Sequence, residues 1–465
     1  MLQQLKTSTT MLLLMMLSFV ALAADEITIN YAHQDKTLEV MHCFTSAPDY
    51  VEANDRVLQN ASSNILWQGQ KAAVHPGYIE LPDQQAGCLS YTVDGDAVTS
   101  KQLKQQHPGE LLLKIDAMLW QPDDMRVRDL PHVIFNHATH IHISSPWQLL
   151  SRSAQKTSYL KKPSPKYSDG YIAIGELQTE RIILSDSQLR LAILAGAYRH
   201  RQSDISHWVK TMAESVAQVS GGFPLDDVQV LVVLIDGDGG AVPWGQVNRG
   251  GGQGVLLVVN ANKGSTELMA DWTAPHEFSH LLTPYTPYDR WLSEGFASYH
   301  QNISRLRTGL LDEKTAWSKL VAGFERGQRS AAKISAPVLK QSNRRHNMQM
   351  YWGGAVIALK ADVALQRETN GQVTLSDALA GLQTCCLGQG RGWSARALFS
   401  QLDAITNTQV FTELYQQEVL RKPYPEFHSV LDELGIKTSP YGEVELNDKA
   451  PLSMVRKRIA NAEAG

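Results

Sequence analysis

Within the segment 271–299, DWTAPHEFSHLLTPYTPYDRWLSEGFASY, histidines stand at 276 and 280, with glutamates at 277 and 294. If 276–280 is helical, His276 and His280 are one turn apart and project from the same face. Two neutral imidazoles placed in this way can bind one Zn²⁺. A third ligand has to come from elsewhere. Glu294, inside Trp291-Leu-Ser-Glu-Gly295, offers a carboxylate after thirteen intervening residues. Two histidines and one carboxylate leave a fourth position for water, as in catalytic rather than structural zinc sites. Glu277 sits one position round the helix, where it is expected to take a proton from that water without being a ligand. Taken alone, HEFSH is also compatible with two histidines on an ordinary helix, and the downstream carboxylate is what makes it a site.

Other elements have to bring these groups together. Thr273 is the expected cap of the histidine helix, with Pro275 in its first turn, where a missing N–H costs little. Upstream, Gly250-Gly-Gly-Gln-Gly254 precedes an apolar strand at 255–259. No Gly-Lys-Ser/Thr follows, so phosphate binding is not supported. With few side chains in the way, Gly251, Gly252 and Gln253 are expected to offer an extended peptide a backbone edge, although a flexible turn fits equally. A helix over 204–219, capped by Ser203, and a buried strand over 228–235 precede this segment. After Glu294 the pattern is helical, with amphipathic spacing over 311–324 and 350–366 and shorter helices to about 434. Residues 24–145 read instead as short alternating runs (27–31, 37–41, 111–115) broken by Gly, Pro, Asn and Asp. There His140 and His142 would share a strand face and could bind metal, but no carboxylate or cysteine is near them in sequence. Residues 144–168, rich in Ser, Lys and Pro, read as a joint. The expected fold class is therefore α+β. A β-rich N-terminal domain (24–145) precedes a catalytic domain of mixed sheet plus helical lobe (146–436), and a tail occupies 437–465.

Composition narrows the function classes. Across 465 residues, 43 basic side chains face 47 acidic ones, a formal net charge of −4. Nothing in that balance points to nucleic acid or to an anionic membrane surface. Residues 1–23 have the form of a secretion signal. Lys6 is the single charge, 11–22 is apolar except for Ser18, and Ala21-Leu-Ala23 fits small-residue cleavage. The mature chain is expected to be exported, periplasmic or extracellular, with no later membrane span. Cys43 and Cys88 could form one disulfide in that compartment. Cys385 and Cys386 are adjacent, with Cα atoms about 3.8 Å apart, closer than disulfides usually allow.

HEFSH followed by WLSEGFASY resembles the gluzincin metallopeptidases, which include the thermolysin, aminopeptidase N and glycyl aminopeptidase families. Tyr351-Trp-Gly-Gly-Ala and its following helix look like the Y-x-K-G segment of the last two. Residues 410–436, containing KPYPEFHSVLDELGI, are similar to the end of the glycyl aminopeptidase catalytic domain. The PDZ-like domain usual in that family has no counterpart in the short stretch that follows. The resemblance implies a thermolysin-like catalytic domain, one Zn²⁺ per chain on His276, His280 and Glu294, Glu277 as general base, and Tyr351 as donor to the tetrahedral oxyanion. It implies a peptide or protein substrate and leaves the oligomeric state open. Two positions depart from the pattern. Gly353 stands where the lysine of Y-x-K-G belongs. Gln253 is the nearest counterpart, in the glycine-rich segment, of a glutamate that pairs with the substrate's free α-amine in related aminopeptidases. A neutral amide cannot form that ion pair, so endopeptidase action is open alongside an unusual exopeptidase one.

A second function class is a non-catalytic peptide-binding or scaffold protein that keeps the fold. The presence of Glu277 separates the two, because binding alone needs no base at that position.

Overall fold

Alternating apolar residues create the first antiparallel pair, Glu26–Ala32 with Thr37–Phe44, which buries Ile27, Ile29, Leu38 and Val40 on one face. The computed structural model describes residues 25–461, apart from 83, 100, 123–129, 163–169, 250, 389–390 and 439–443. The signal-like segment 1–23 and Gly250 lie outside the described residues. The first pair belongs to an eight-stranded sheet that also holds Gly87–Asp94, His132–Asn136, Gln148–Arg152 and Lys156–Leu160. Cys43 and Cys88 face each other across two of its strands and are bonded. A smaller sheet sets Tyr171–Gly175 between Glu110–Lys114 and His142–Ser144. Trp120, Trp147 and Tyr159 fill the core of this unit.

The boundary expected at 145 therefore moves. Strands 148–152, 156–160 and 171–175 all pair within the β-rich unit, because their backbone groups find partners only there. The chain leaves that unit at about residue 176.

A five-stranded sheet follows, formed by β1 (Gln178–Leu184), β2 (Ser187–Leu194), β3 (Asp227–Ile235), β4 (Trp244–Asn248) and β5 (Gly254–Asn260), in the order β1-β2-β3-β5-β4. β2, β3 and β5 are parallel, while β1 and β4 run antiparallel at the two edges. From Val230 onward β3 is an unbroken apolar run, and the strand is buried on both faces, as a central parallel strand requires. Leu103, Ala173, Leu177, Leu194, Leu231 and Leu256 form an apolar seam with the β-rich unit. Arg190 stitches it further, pairing with Asp227 at 2.8 Å and donating to the carbonyls of Ser145 and Trp147.

The helices that matter for the site are α1 (Gln202–Ser220), α2 (Thr273–Ser279), α3 (Arg290–Arg307), α4 (Glu313–Lys333) and α5 (Asn347–Glu368). No side chain caps α1, so Ser203 lies inside the helix rather than before it. Thr273 is likewise the first residue of α2. Its N–H is taken by Asp271 Oδ1 at 2.7 Å while its own hydroxyl donates to Val242 O. α5 is buried nearly all round, packed between α3 and α4. Its approach to α3 is set by two glycines. A Cβ on Gly354 would lie 1.9 Å from Trp291 O, and one on Gly295 would lie 2.3 Å from Gly354 Cα. Cys385 and Cys386, at the end of helix Leu375–Cys385, are joined despite their adjacency.

The segment after 436 is no loose tail. A hairpin, Ile436–Thr438 with Val444–Leu446, leads into α6 (Ser453–Ala460). Arg456, 1% exposed, pairs with Glu313 of α4, while Arg307 of α3 donates to Ile459 O and Arg458 to Gln366 of α5. Buried Val455 and Ile459 join the main core, so packing decides what the polar composition of this segment obscures. No described helix is long and apolar enough to cross a membrane.

Candidate metal centre and active site

Both histidines of α2 are buried, although the α-helix itself ends at Ser279 and His280 opens a 3₁₀ turn. α3 presents Glu294 to them. Its Oε2 lies 3.3 Å from His276 Nε2 and 3.4 Å from His280 Nε2. The other carboxylate oxygen, Oε1, is held by Arg290 Nη2 at 3.0 Å, one helical turn away on the same face. The structure thus brings together His276, His280 and Glu294.

The far side of each ring shows what this cluster is built to hold. His276 Nδ1 meets Gln301 Oε1 at 2.8 Å, and His280 Nδ1 meets Ser293 Oγ at 2.9 Å. An amide oxygen only accepts, so His276 carries its proton on Nδ1. Its Nε2 lone pair then faces Glu294, next to that of His280. Three acceptors this close need either a proton or a cation among them. Among these side chains alone, a proton does the work. Burial lowers the His276 pKa, but the hydrogen bond to Glu294, the charges of Glu277 and Glu294, and Gln301 outweigh it, and the net shift is upward. Burial likewise raises the Glu294 carboxyl, yet hydrogen bonds and charge from the two imidazoles hold it well below its ordinary value. A divalent cation would replace that proton. The donor set and the fixed Nδ1 partners fit Zn²⁺.

Two further groups border the cluster. Glu277 is buried, and burial pushes its carboxyl up against the pull of His280, His276 and the Val247 N–H. Tyr351, at the start of α5, lies parallel to the His276 ring with centroids 5.7 Å apart and within reach of the Glu294 charge. Burial raises its phenol pKa, and the neighbouring Glu294 raises it further. The Gly295–Gly354 contact is what lets α5 carry Tyr351 this close. The glycine of the Tyr351-Trp-Gly-Gly segment therefore has a steric reason that spacing alone does not show.

Gly251, Gly252 and Gln253 do not join the site as a free strand edge. They form the turn between β4 and β5, docked on the β-rich unit. Lys162 N–H donates to Gly251 O at 2.9 Å, Gln253 N–H to Pro146 O at 3.1 Å, and Gln229 N–H to Gln253 O at 3.1 Å. A Cβ on Gly252 would lie 1.8 Å from Pro146 O. The backbone groups of Gly251 and Gln253 are already used, so this segment offers no continuous edge to a peptide. Gly252 and Gln253 instead line a cavity of about 380 Å³ with Arg249, Tyr285 and Gln383, and none of His276, His280, Glu277, Glu294 or Tyr351 borders it.

The edge beside the site is β4, Trp-Gly-Gln-Val-Asn, the outermost strand of its sheet. Gly245 comes so close to Glu277 that a Cβ would lie 2.6 Å from its Cγ. The sequence reading missed this strand, together with Gln301, Ser293 and Arg290. Gln301 and Arg290 were findable, since they stand seven and four residues from Glu294, on one face of α3.

No family model matches the sequence, and no curated protein matches it. Solved structures do resemble it. An aminopeptidase N family protein from Idiomarina loihiensis superposes with a TM-score of 0.66 at 13% identity, over 89% of this chain and 79% of that one. Yeast LTA4 hydrolase gives 0.53 at 11% identity, over 88% and 70%. An M1 zinc metallopeptidase from Deinococcus radiodurans gives 0.50 at 14% identity, over 87% and 93%. At these identities the likeness is one of fold.

Proposed function

We propose that this chain is an exported zinc-dependent metallopeptidase that hydrolyses peptide bonds. The observation that carries the reading is the convergence of His276 Nε2, His280 Nε2 and Glu294 Oε2, with Glu277 and Tyr351 at its border. Its fold neighbours include zinc metallopeptidases, which supports the same reading. A Zn²⁺ held by those three ligands would supply Lewis acidity toward the scissile carbonyl. Glu277 takes the proton of the attacking water and passes it to the leaving amine, a transfer for which its buried place beside the proposed ligands positions it. Tyr351, kept protonated by its raised pKa, donates to the oxyanion, whose charge exists only in the transition state. The outer edge of β4 receives the substrate as an added strand beside Glu277, whose side chain packs against Gly245.

That edge carries Gln246, Val247 and Asn248 and no acidic side chain. Nothing on it rewards a free α-amine with an ion pair, so the proposed enzyme does not require one. The thermolysin-like architecture and the nearer kinship to glycyl aminopeptidases rest on the motifs at 276–299, 351–355 and 410–436. Export rests on the form of residues 1–23 and on two disulfides, which suit an oxidising compartment.

The test is digestion of mixed peptides with free and blocked N-termini by the zinc-loaded protein, with products read by mass spectrometry. Internal cleavage of both sets is expected. Glu277→Gln should keep its zinc and lose roughly 10²–10⁴-fold in turnover. If zinc-loaded wild-type protein cleaves nothing in a diverse library, the non-catalytic peptide-binding reading replaces this one.

A further inference from the structure

We infer that His33, His140 and Glu176 form a second divalent-cation site, sharing no residue with the cluster on α2 and α3. One ligand atom from each lies within 4.8 Å of the other two. The three come from distant points of the sequence. His33 begins the turn after strand Glu26–Ala32, His140 lies in the turn before strand His142–Ser144, and Glu176 directly follows strand Tyr171–Gly175. Two imidazoles and one carboxylate are the donor set that zinc and its neighbours in the first transition row prefer. Calcium and magnesium prefer all-oxygen sites.

The rings of His33 and His140 meet edge to face, centroids 5.2 Å apart at 81°. His33 Nδ1 is buried and has no hydrogen-bond partner. A shielded imidazole nitrogen left in this way forfeits its hydration without replacement, and a proton or a cation would restore the loss. Glu176 also meets Arg199 at 3.4 Å, but that pair is about half exposed on both sides and so holds the carboxylate weakly. His140 and Glu176 are themselves exposed, which leaves the remaining coordination positions to water. His142, which the sequence pairs with His140, is placed differently. It lies within a strand opposite Gly175 and is not one of the three.

The position of Glu176 gives the site a purpose. It stands between the last strand of the β-rich unit and β1, the first strand of the next sheet. A cation bound there would tie a turn and a loop of the β-rich unit to the segment that leaves it. That is a stabilising cross-link, and it is independent of the peptidase reading.

The test counts zinc in the full chain by titration calorimetry with Zn²⁺ alone, with Ca²⁺ as a control that should not bind. The double variant His276→Ala/His280→Ala is expected to retain one equivalent. Adding His140→Ala or Glu176→Gln should weaken that equivalent at least tenfold. Zn²⁺ should raise the melting temperature of the double variant and fail to do so once His140 is replaced. Should the double variant not fold, the wild-type stoichiometry serves, falling by one in His140→Ala, whose exposed side chain is not needed for folding. The inference is overturned if no zinc remains after removal of His276 and His280, or if His140→Ala leaves the count, the affinity and the melting shift unchanged.

Discussion

At the scale of single residues, the groups behind the proposed ligands decide how well they hold a metal. Gln301 fixes the His276 tautomer through a 2.8 Å contact. Gln301→Leu removes the acceptor while nearly keeping the volume, so zinc affinity should fall about 10–100-fold with the fold intact. Competition with a chelator would measure this. An unchanged affinity would leave Gln301 a packing residue only. Gly245 offers a complementary test, since its missing Cβ is what admits the Glu277 side chain. Gly245→Val should displace that carboxylate and depress kcat far more than it weakens zinc binding. The pair His276 and His280 was legible in sequence because two imidazoles at i and i+4 share a helical face. Glu294 was legible because its surrounding motif is specific. The proposed substrate edge was not. The glycine-rich segment 250–254 looked more open than Trp-Gly-Gln-Val-Asn, yet Lys162 and Pro146 of the β-rich unit take the Gly251 carbonyl and the Gln253 N–H, and no local pattern announces a contact with residues about a hundred positions away.

At the scale of elements, the crossing of α3 and α5 is the joint on which the site turns. Gly354→Ala places a methyl group where Trp291 O already lies 1.9 Å away. The helices must part, at a cost of about 1–3 kcal/mol, and Tyr351 moves away from Glu294. A lower urea midpoint together with a lower kcat is the expected outcome. Loss of stability with full activity would detach Tyr351 from the chemistry. Helix periodicity made α3, α4 and α5 legible as helices. It could not show which faces meet, because α5 is apolar nearly all round and advertises no preferred side. Strands 148–152 and 156–160 were hidden for a related reason. Their polar residues suit a linker as well as a strand, and only the pairing of 156–160 with His132–Asn136, and of 148–152 with 156–160, distinguishes the two.

At the scale of the whole molecule, acid should loosen both units. His42, stacked on Phe44 in the β-rich core, and His300, whose Nδ1–H donates to Phe296 O in α3, are buried as neutral rings. Burial lowers each pKa to about 3, with Lys161 adding to the effect at His42. A folded-state pKa below the unfolded value near 6.5 means that the stabilisation is complete above about pH 6.5. It drains away as pH falls toward 3, by up to about 1.4 kcal/mol per pH unit for each ring. Urea unfolding between pH 7 and 4 should show this slope. His42→Leu or His300→Leu should flatten it by one proton each, and a slope unaltered in both variants would refute the assignment.

Helix α6 has a bearing on when the site can exist at all. Through Arg456, Arg458 and the carbonyl of Ile459, α6 grips α4, α5 and α3, of which α3 carries Glu294 and α5 carries Tyr351. A polypeptide halted at residue 436 would already contain every proposed ligand and catalytic group. It would nonetheless lack the clasp that closes the lobe and would leave apolar surface beside α3 and α5 wet. Such a truncation is expected to melt without a cooperative transition, so the chemistry written at 276–294 becomes available only once residues 453–460 have been made and packed.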